Sequence, residues 1–254
     1  MKKLLLFPSL FLASVVQMIH VAPALADVAF DAFSASTGGT GNLSWTHTVG
    51  GTARGVVVFV PFWSTAGGAA DEVTTATYGG TAMTEASCSP ILLDGTEDTG
   101  NHAFFLGASI PTGNQTVAVT TTAVNQNRIG YAVTVTGSAD TELVDCEVVN
   151  NDNLANPSVT LSLTGRTSFA MLAAGSGVNT IVTDATPLTN WTSRNENDAG
   201  TGGMLAYTYD IIGSADVTAG FTVTANRVSM IAVAISEVPA VAKGSTMTTT
   251  GAGK

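Results

Sequence analysis

GVVVFVPFW at residues 55–63, directly after Arg54, and TSFAMLAAG at residues 167–175, directly after Arg166, decide the fold of this chain. Val56–Val60 and Phe169–Ala173 are apolar at every position, the pattern of strands whose two faces both avoid water. They also open a longer echo. GTAMTEAS from Gly80 is answered by ATPLTNWTS from Ala185, and HAFFLGASIPTGNQTVAVTTTA from His102 by MLAYTYDIIGSADVTAGFTVTA from Met204. RIGYAVTVTG from Arg128 is answered by RVSMIAVAISE from Arg227. Four collinear correspondences read as two copies of one supersecondary unit, about residues 27–150 and 151–239.

Around these anchors the pattern is that of strands throughout. No window of a dozen residues sustains a 3.6-residue apolar stripe with helix caps. Strands are predicted near 43–48, 55–62, 72–78, 82–88, 103–109, 115–122 and 128–136 in the first half. The second half offers 158–164, 168–174, 180–183, 188–194, 204–210, 217–225 and 227–236. In Thr116–Thr120 and Phe221–Thr224 apolar residues alternate with Thr, as in a half-buried antiparallel strand. Gly50-Gly51, Gly79-Gly80, Pro111-Thr112-Gly113, Gly165 and Gly200 supply turn chemistry between them. The fold class is therefore all-β: an antiparallel β-sandwich, jelly-roll-like or double-length, built from two pseudo-repeats that share a core. The alternative is two immunoglobulin-like sandwiches in tandem. The join at 137–157 is polar but lacks the Pro/Gly/Ser composition of a flexible linker.

Composition bounds the function. Lys2 and Lys3 precede the apolar run LLLFPSLFLASVVQMI, and Ala24-Leu25-Ala26 precedes Asp27, which predicts a signal peptide over 1–26 with cleavage between Ala26 and Asp27. The run is too short and interrupted for a membrane anchor, and no later segment is long enough to span a bilayer. The mature chain is expected to be secreted, extracellular or at the cell surface. With two of its 9 cations in the leader, it sets 7 against 19 acids, a formal charge of −12. No Lys occurs between Lys3 and Lys243, and the Arg residues are scattered, which argues against a nucleic-acid partner. Only 11% of residues are charged against 45% hydrophobic, so the polar surface must be made largely of Thr, Ser, Asn and Gly. The tail 240–254 reads as disordered and polar.

Two cysteines remain in the mature chain. An oxidising destination makes a Cys88–Cys146 disulfide the natural reading. Motifs for chemistry are missing: there is no G-x-S-x-G elbow, no H-E-x-x-H and no P-loop. His47 follows Trp45 by two, which places both on one strand face as a packing pair or a hydrogen-bonded edge residue. Acidic segments at Asp94, Glu97 and Asp98, at 150–153 and at 195–198 read as solvated turns. Asp94, Glu97 and Asp98 are the weak calcium candidates, and calcium is the one cofactor considered; the sequence otherwise calls for no cofactor and no metal. Trp63, at a strand end, and Trp191, in a polar strand, are the candidate glycan-stacking residues, with core packing the competing role.

The segments HTVGGTARGVVVFVPFW, VTTATYGGTAMTEAS, HAFFLGASIPTGNQTVAVT and GYAVTVTG resemble a poorly characterised class of secreted bacterial β-sandwich modules. That class is marked by a V-T-Y-G-G-x-x-M/L-T hairpin. The resemblance covers about half of the mature chain directly. It implies an extracellular or cell-surface module and carries over no catalytic residues. Ser236-Glu237-Val238-Pro239 sits where some relatives begin a Val-Pro-Glu-Pro sorting tail, but Ala240 replaces the acid and no apolar segment follows. The reading that emerges is a non-enzymatic structural or adhesive protein of surface-layer, filament or virion-decoration type, partnered by itself, by other surface proteins or by glycans. A carbohydrate-binding module is the alternative.

Overall fold

The computed structural model describes residues 28–64, 73–93, 98–122, 126–163, 165–209 and 213–239. Residues 1–27, with the expected cleavage pair Ala26 and Asp27, the candidates Asp94 and Glu97, and residues 240–254, expected as a polar tail, lie outside them.

The protein is an antiparallel β-sandwich fold whose sheets stack in four layers. In the first half, Ala29–Ala35, Tyr131–Thr136, Ala53–Phe59, Ala103–Leu106 and Thr84–Glu85 pair in that spatial order. A second sheet of Leu43–Val49, Gly113–Thr121, Val73–Tyr78 and Thr81–Ala82 covers one face. In the second half, the inner sheet runs Thr141–Leu154, Asn226–Glu237, Ser168–Ser176, Gly202–Tyr209 and Trp191–Ala199. Its cover is Ser158–Leu161, Val217–Thr222 and Thr186–Pro187.

The two uninterrupted apolar runs explain the stacking. Val56, Val58 and Val60 point into the first sandwich with Val117, Val119 and Tyr78, whereas Val57 and Phe59 point the other way. Ala170, Leu172 and Ala174 likewise face Tyr207 and Phe221 inside the second sandwich, while Phe169, Met171 and Ala173 face Val57 and Phe59. A strand with apolar side chains on both faces is stable only if both are covered. Here one face closes its own sandwich and the other packs against the opposite half. The first inner sheet extends past Pro61 as a short four-stranded piece: Asn127–Arg128, Phe62–Ser64, Asp98–Asn101 and Ile91–Leu93. That piece is hydrogen-bonded onto the second half, Asn101 Nδ2 donating to the Ala173 carbonyl at 2.8 Å and Ser229 Oγ to the Thr99 carbonyl at 3.2 Å.

The second half repeats the strand order of the first, down to one irregularity. The edge strand Ala29–Ala35 skips a residue between Phe30 and Ala32, and Thr141–Leu154 skips one between Leu143 and Asp145. Phe30 faces Val135, which pairs with Gly55; Leu143 faces Ile235, which pairs with Phe169. Both bulges fall at the same place in their sheets.

Several boundaries differ from the sequence reading. The polar join at 137–157 contains a 14-residue strand, Thr141–Leu154, so the second sandwich begins after Asp140 rather than at 151. An edge strand pairs on one side only, and its other side tolerates the Asp, Glu and Asn that made this segment read as a connector. Ala29–Ala35 was not among the expected strands for the same reason. Residues 180–183, expected as a strand, belong to a short helix, Thr180–Asp184. Only Ile181 of it is buried, in a socket left by Gly203, whose Cβ would collide with that side chain. The helix stands where the first half has Val73–Tyr78, so Thr186–Pro187 pairs directly with Val217–Thr222. The strand expected at 82–88 shrinks to the two-residue pairings Thr81–Ala82 and Thr84–Glu85.

Candidate interaction surfaces

Period-two alternation in the outer sheets sends apolar residues inward and leaves a hydroxyl-bearing face outward. On Leu43–Val49 the outward residues are Ser44, Thr46 and Thr48, opposite Ala118, Thr116 and Asn114 of the neighbouring strand. Thr77 and Thr75 continue the rows beside Ala118 and Thr120. Thr48 Oγ1 donates to Asn114 Oδ1 at 2.7 Å. The other end of the stack does the same with Thr160 opposite Thr218, Ser158 opposite Gly220 and Thr186 opposite Thr222. None of these outward positions carries a charge. Rows lie about 4.8 Å apart and successive outward residues about 6.8 Å apart along a strand.

Strand edges are treated differently. Val144 is the bulged residue of Thr141–Leu154, and the adjacent Asp145 carboxylate accepts from the backbone N–H of Cys146 at 2.9 Å and of Ser162 at 2.6 Å. Arg194 is the bulged residue of Trp191–Ala199; its guanidinium lies 4.0 Å from the Phe30 ring centroid and donates to Thr208 Oγ1 at 2.6 Å. Asp31 is the bulged residue of Ala29–Ala35. Bulges with charged side chains at edges obstruct pairing with another chain.

Inside the first sandwich a chain of polar groups crosses three strands. Asp31 can only accept, so Thr134 Oγ1 donates to it at 3.0 Å and receives the Nε2 proton of His47 at 3.2 Å. His47 Nδ1 is then an acceptor for Ser34 Oγ at 2.7 Å, and Ser34 in turn accepts the Trp45 indole N–H at 2.9 Å. Thr134, His47 and Ser34 each donate once and accept once, and Asp31 also accepts the Gly50 backbone N–H at 3.3 Å, which fixes the neutral Nε2–H tautomer. Burial drives the imidazole pKa down to about 4, against a smaller upward pull from the Asp31 charge. The Trp45–His47 spacing showed that these two share a face; their partners come from strands that the sequence does not place beside them.

A second histidine, His102, is buried between the Phe62 and Phe104 rings, with Nδ1 3.0 Å from Glu85 Oε1. That hydrogen bond is the main cause holding the Glu85 carboxyl below its usual range, helped by Ser89 Oγ at 2.8 Å. In the second half, Tyr207 donates to Glu196 at 2.7 Å; burial first, then this carboxylate, pushes the phenol up.

Cys88 and Cys146 form a disulfide with Cα atoms 5.7 Å apart. Because Cys146 lies on Thr141–Leu154, the bond joins the two sandwiches rather than tying a connector to the first. Trp63 and Trp191, considered as exposed stacking residues, are only 4% and 5% exposed, so neither presents a ring face. Trp63 packs in the shared core under Gly202, and Trp191 packs in the second core with its indole N–H on the Thr218 carbonyl at 3.0 Å. Asp98 is no solvated turn residue: it begins the strand Asp98–Asn101 and is fully buried. The segments 150–153 and 195–198 lie in edge strands, not in loops. Among the described residues no three His, Cys, Asp or Glu side chains cluster to hold a metal ion, and no helix is long and apolar enough to cross a membrane. No protein-family model, curated protein or solved structure matches the chain.

Proposed function

We propose that the protein is a non-enzymatic extracellular structural or adhesive subunit, of surface-layer, filament or virion-decoration type, whose copies meet through the outer sheets. The observation that carries this reading is the pair of Thr/Ser-rich faces at opposite ends of the four-layer stack, whose paired outward positions bear no charge, Asp184 lying at the margin of the second, where it accepts from Thr224 Oγ1 at 3.1 Å. A chain with a formal charge of −10 repels its own copies, so contact is cheapest where acids are missing. Threonine hydroxyls also lose far less on desolvation than carboxylates. The bulged, charged edges direct association away from the sheet ends and toward these faces. Two faces on one rigid body make the subunit bivalent, which an extended array requires.

Electron microscopy and sedimentation velocity of the purified mature chain test this. Wild type is expected to form filaments or sheets, and Thr46→Glu with Thr116→Glu, which sets two carboxylates side by side on one outer face, is expected to leave folded monomers or closed pairs. A wild type that stays monomeric as concentration and salt rise contradicts the proposal.

A further inference from the structure

The sandwiches leave a cleft of about 240 Å³ where they meet at one end. Three distant segments line it: Thr37, Gly38 and Gly39 after the first edge strand, Asn127 and Ile129 beside it, and Asp198 to Gly200 at a turn of the second half. We propose that this cleft binds one ring of a neutral sugar, Asp198, Asn127 and Thr37 supplying the hydrogen bonds. This goes beyond the assembly reading and does not depend on it.

Ligand class follows from the lining. Asp198 accepts only, the Asn127 amide both donates and accepts, and the Thr37 hydroxyl does either, a set that suits adjacent hydroxyls. Among the described residues no Lys or Arg lines the cleft, so an anion would meet the Asp198 carboxylate with no cation beside it there. One carboxylate falls well short of the oxygen shell that calcium takes. Among the described lining residues the apolar side chains are Ile129 and Ala199, too few for a hydrophobic ligand. The volume holds about eight waters and lies below the roughly 300 Å³ where drug-sized pockets begin, which points to one ring and not a long chain. Junctions between domains are where such sites commonly form.

Glycine keeps the cleft open. Gly38 and Gly200 have φ of +72° and +85°, and a Cβ at Gly200 would come within 3.1 Å of Asn127 Nδ2. Gly39 differs: its φ is ordinary and a Cβ there meets nothing within 4 Å. Gly39→Val therefore adds bulk to the cleft lining without straining the backbone.

The test is a glycan array printed with neutral and with acidic saccharides, probed with the disulfide-intact mature protein, followed by calorimetric titration of the best soluble saccharide. Wild type is expected to retain a defined neutral set. Gly39→Val should abolish retention, and Asp198→Ala, at an exposed position, should weaken it roughly ten- to hundredfold by removing a charged acceptor, with melting temperatures of both close to wild type. Thr46→Glu with Thr116→Glu should leave sugar binding unchanged, which separates this site from the outer faces. Retention of no neutral glycan, retention of acidic glycans only, or equal binding by wild type, Gly39→Val and Asp198→Ala would each overturn the proposal.

Discussion

The two sandwiches share a strand order but not a way of holding their outer sheets. In the second, Leu161, Leu172, Trp191, Tyr207 and Phe221 fill an apolar interior. The first sets the fully buried His47 among valines and connects it by hydrogen bonds to Asp31, Ser34, Trp45 and Thr134. Burial of apolar surface is indifferent to pH. A directional hydrogen-bond chain built on a neutral imidazole is not. The same topology can thus be stabilised by an apolar interior with polar contacts such as Tyr207–Glu196 and Trp191–Thr218 or by one that also holds a buried imidazole, and the two halves should respond differently to acid.

The largest effects come from the apolar half and from the cross-link. Phe221→Ala is expected to cost about 3–5 kcal/mol, equally at pH 7 and at pH 5, in urea unfolding followed by circular dichroism; a cost that falls sharply with acid would erase the contrast. Replacing Cys88 and Cys146 with Ser opens a link that spans 58 residues. The chain-entropy estimate for that length is about 4 kcal/mol, and an unchanged denaturation midpoint would show that the link adds nothing to the shared core.

Acid should act through His47. Its folded pKa, about 4, lies below the ordinary 6.5, so the unfolded chain takes up the proton first. The stability that His47 contributes is then full above pH 6.5, falls as pH drops toward 4 and levels off below, a loss of up to about 3 kcal/mol. His47→Gln should remove this slope between pH 6.5 and 4 in the same unfolding series; a slope that persists would assign it to other groups. The smallest effect concerns an edge: Asp145→Ala, which frees two backbone N–H groups, should cost about 1 kcal/mol and, by baring the edge, raise light scattering on storage.

Much of this comparison was legible in the sequence. The runs Val56–Val60 and Phe169–Ala173 announced strands covered on both faces, and the collinear echo announced a matching order of strands. What those runs did not reveal is that the second face of each covers the other, which makes the halves two sandwiches joined by a common core rather than one long sandwich or a loose tandem. Thr141–Leu154 escaped notice because an edge strand needs no regular apolar face, and Thr180–Asp184 because five residues rich in β-branched side chains read as strand until Gly203 provides a socket for Ile181 alone. Trp63 and Trp191 illustrate the limit for sites: a ring at a strand end can stack on a ligand or wedge between sheets, and only the opposite sheet decides. The cleft at Asn127 and Asp198 was illegible because its three segments meet only when the halves dock.

Differential scanning calorimetry of the disulfide-intact protein tests that docking most directly. If Val57, Phe59, Met171 and Val233 form one shared core, the halves unfold together, and the calorimetric enthalpy should equal the van't Hoff enthalpy of a single transition. A calorimetric enthalpy near twice the van't Hoff value, or two resolved transitions, would contradict it.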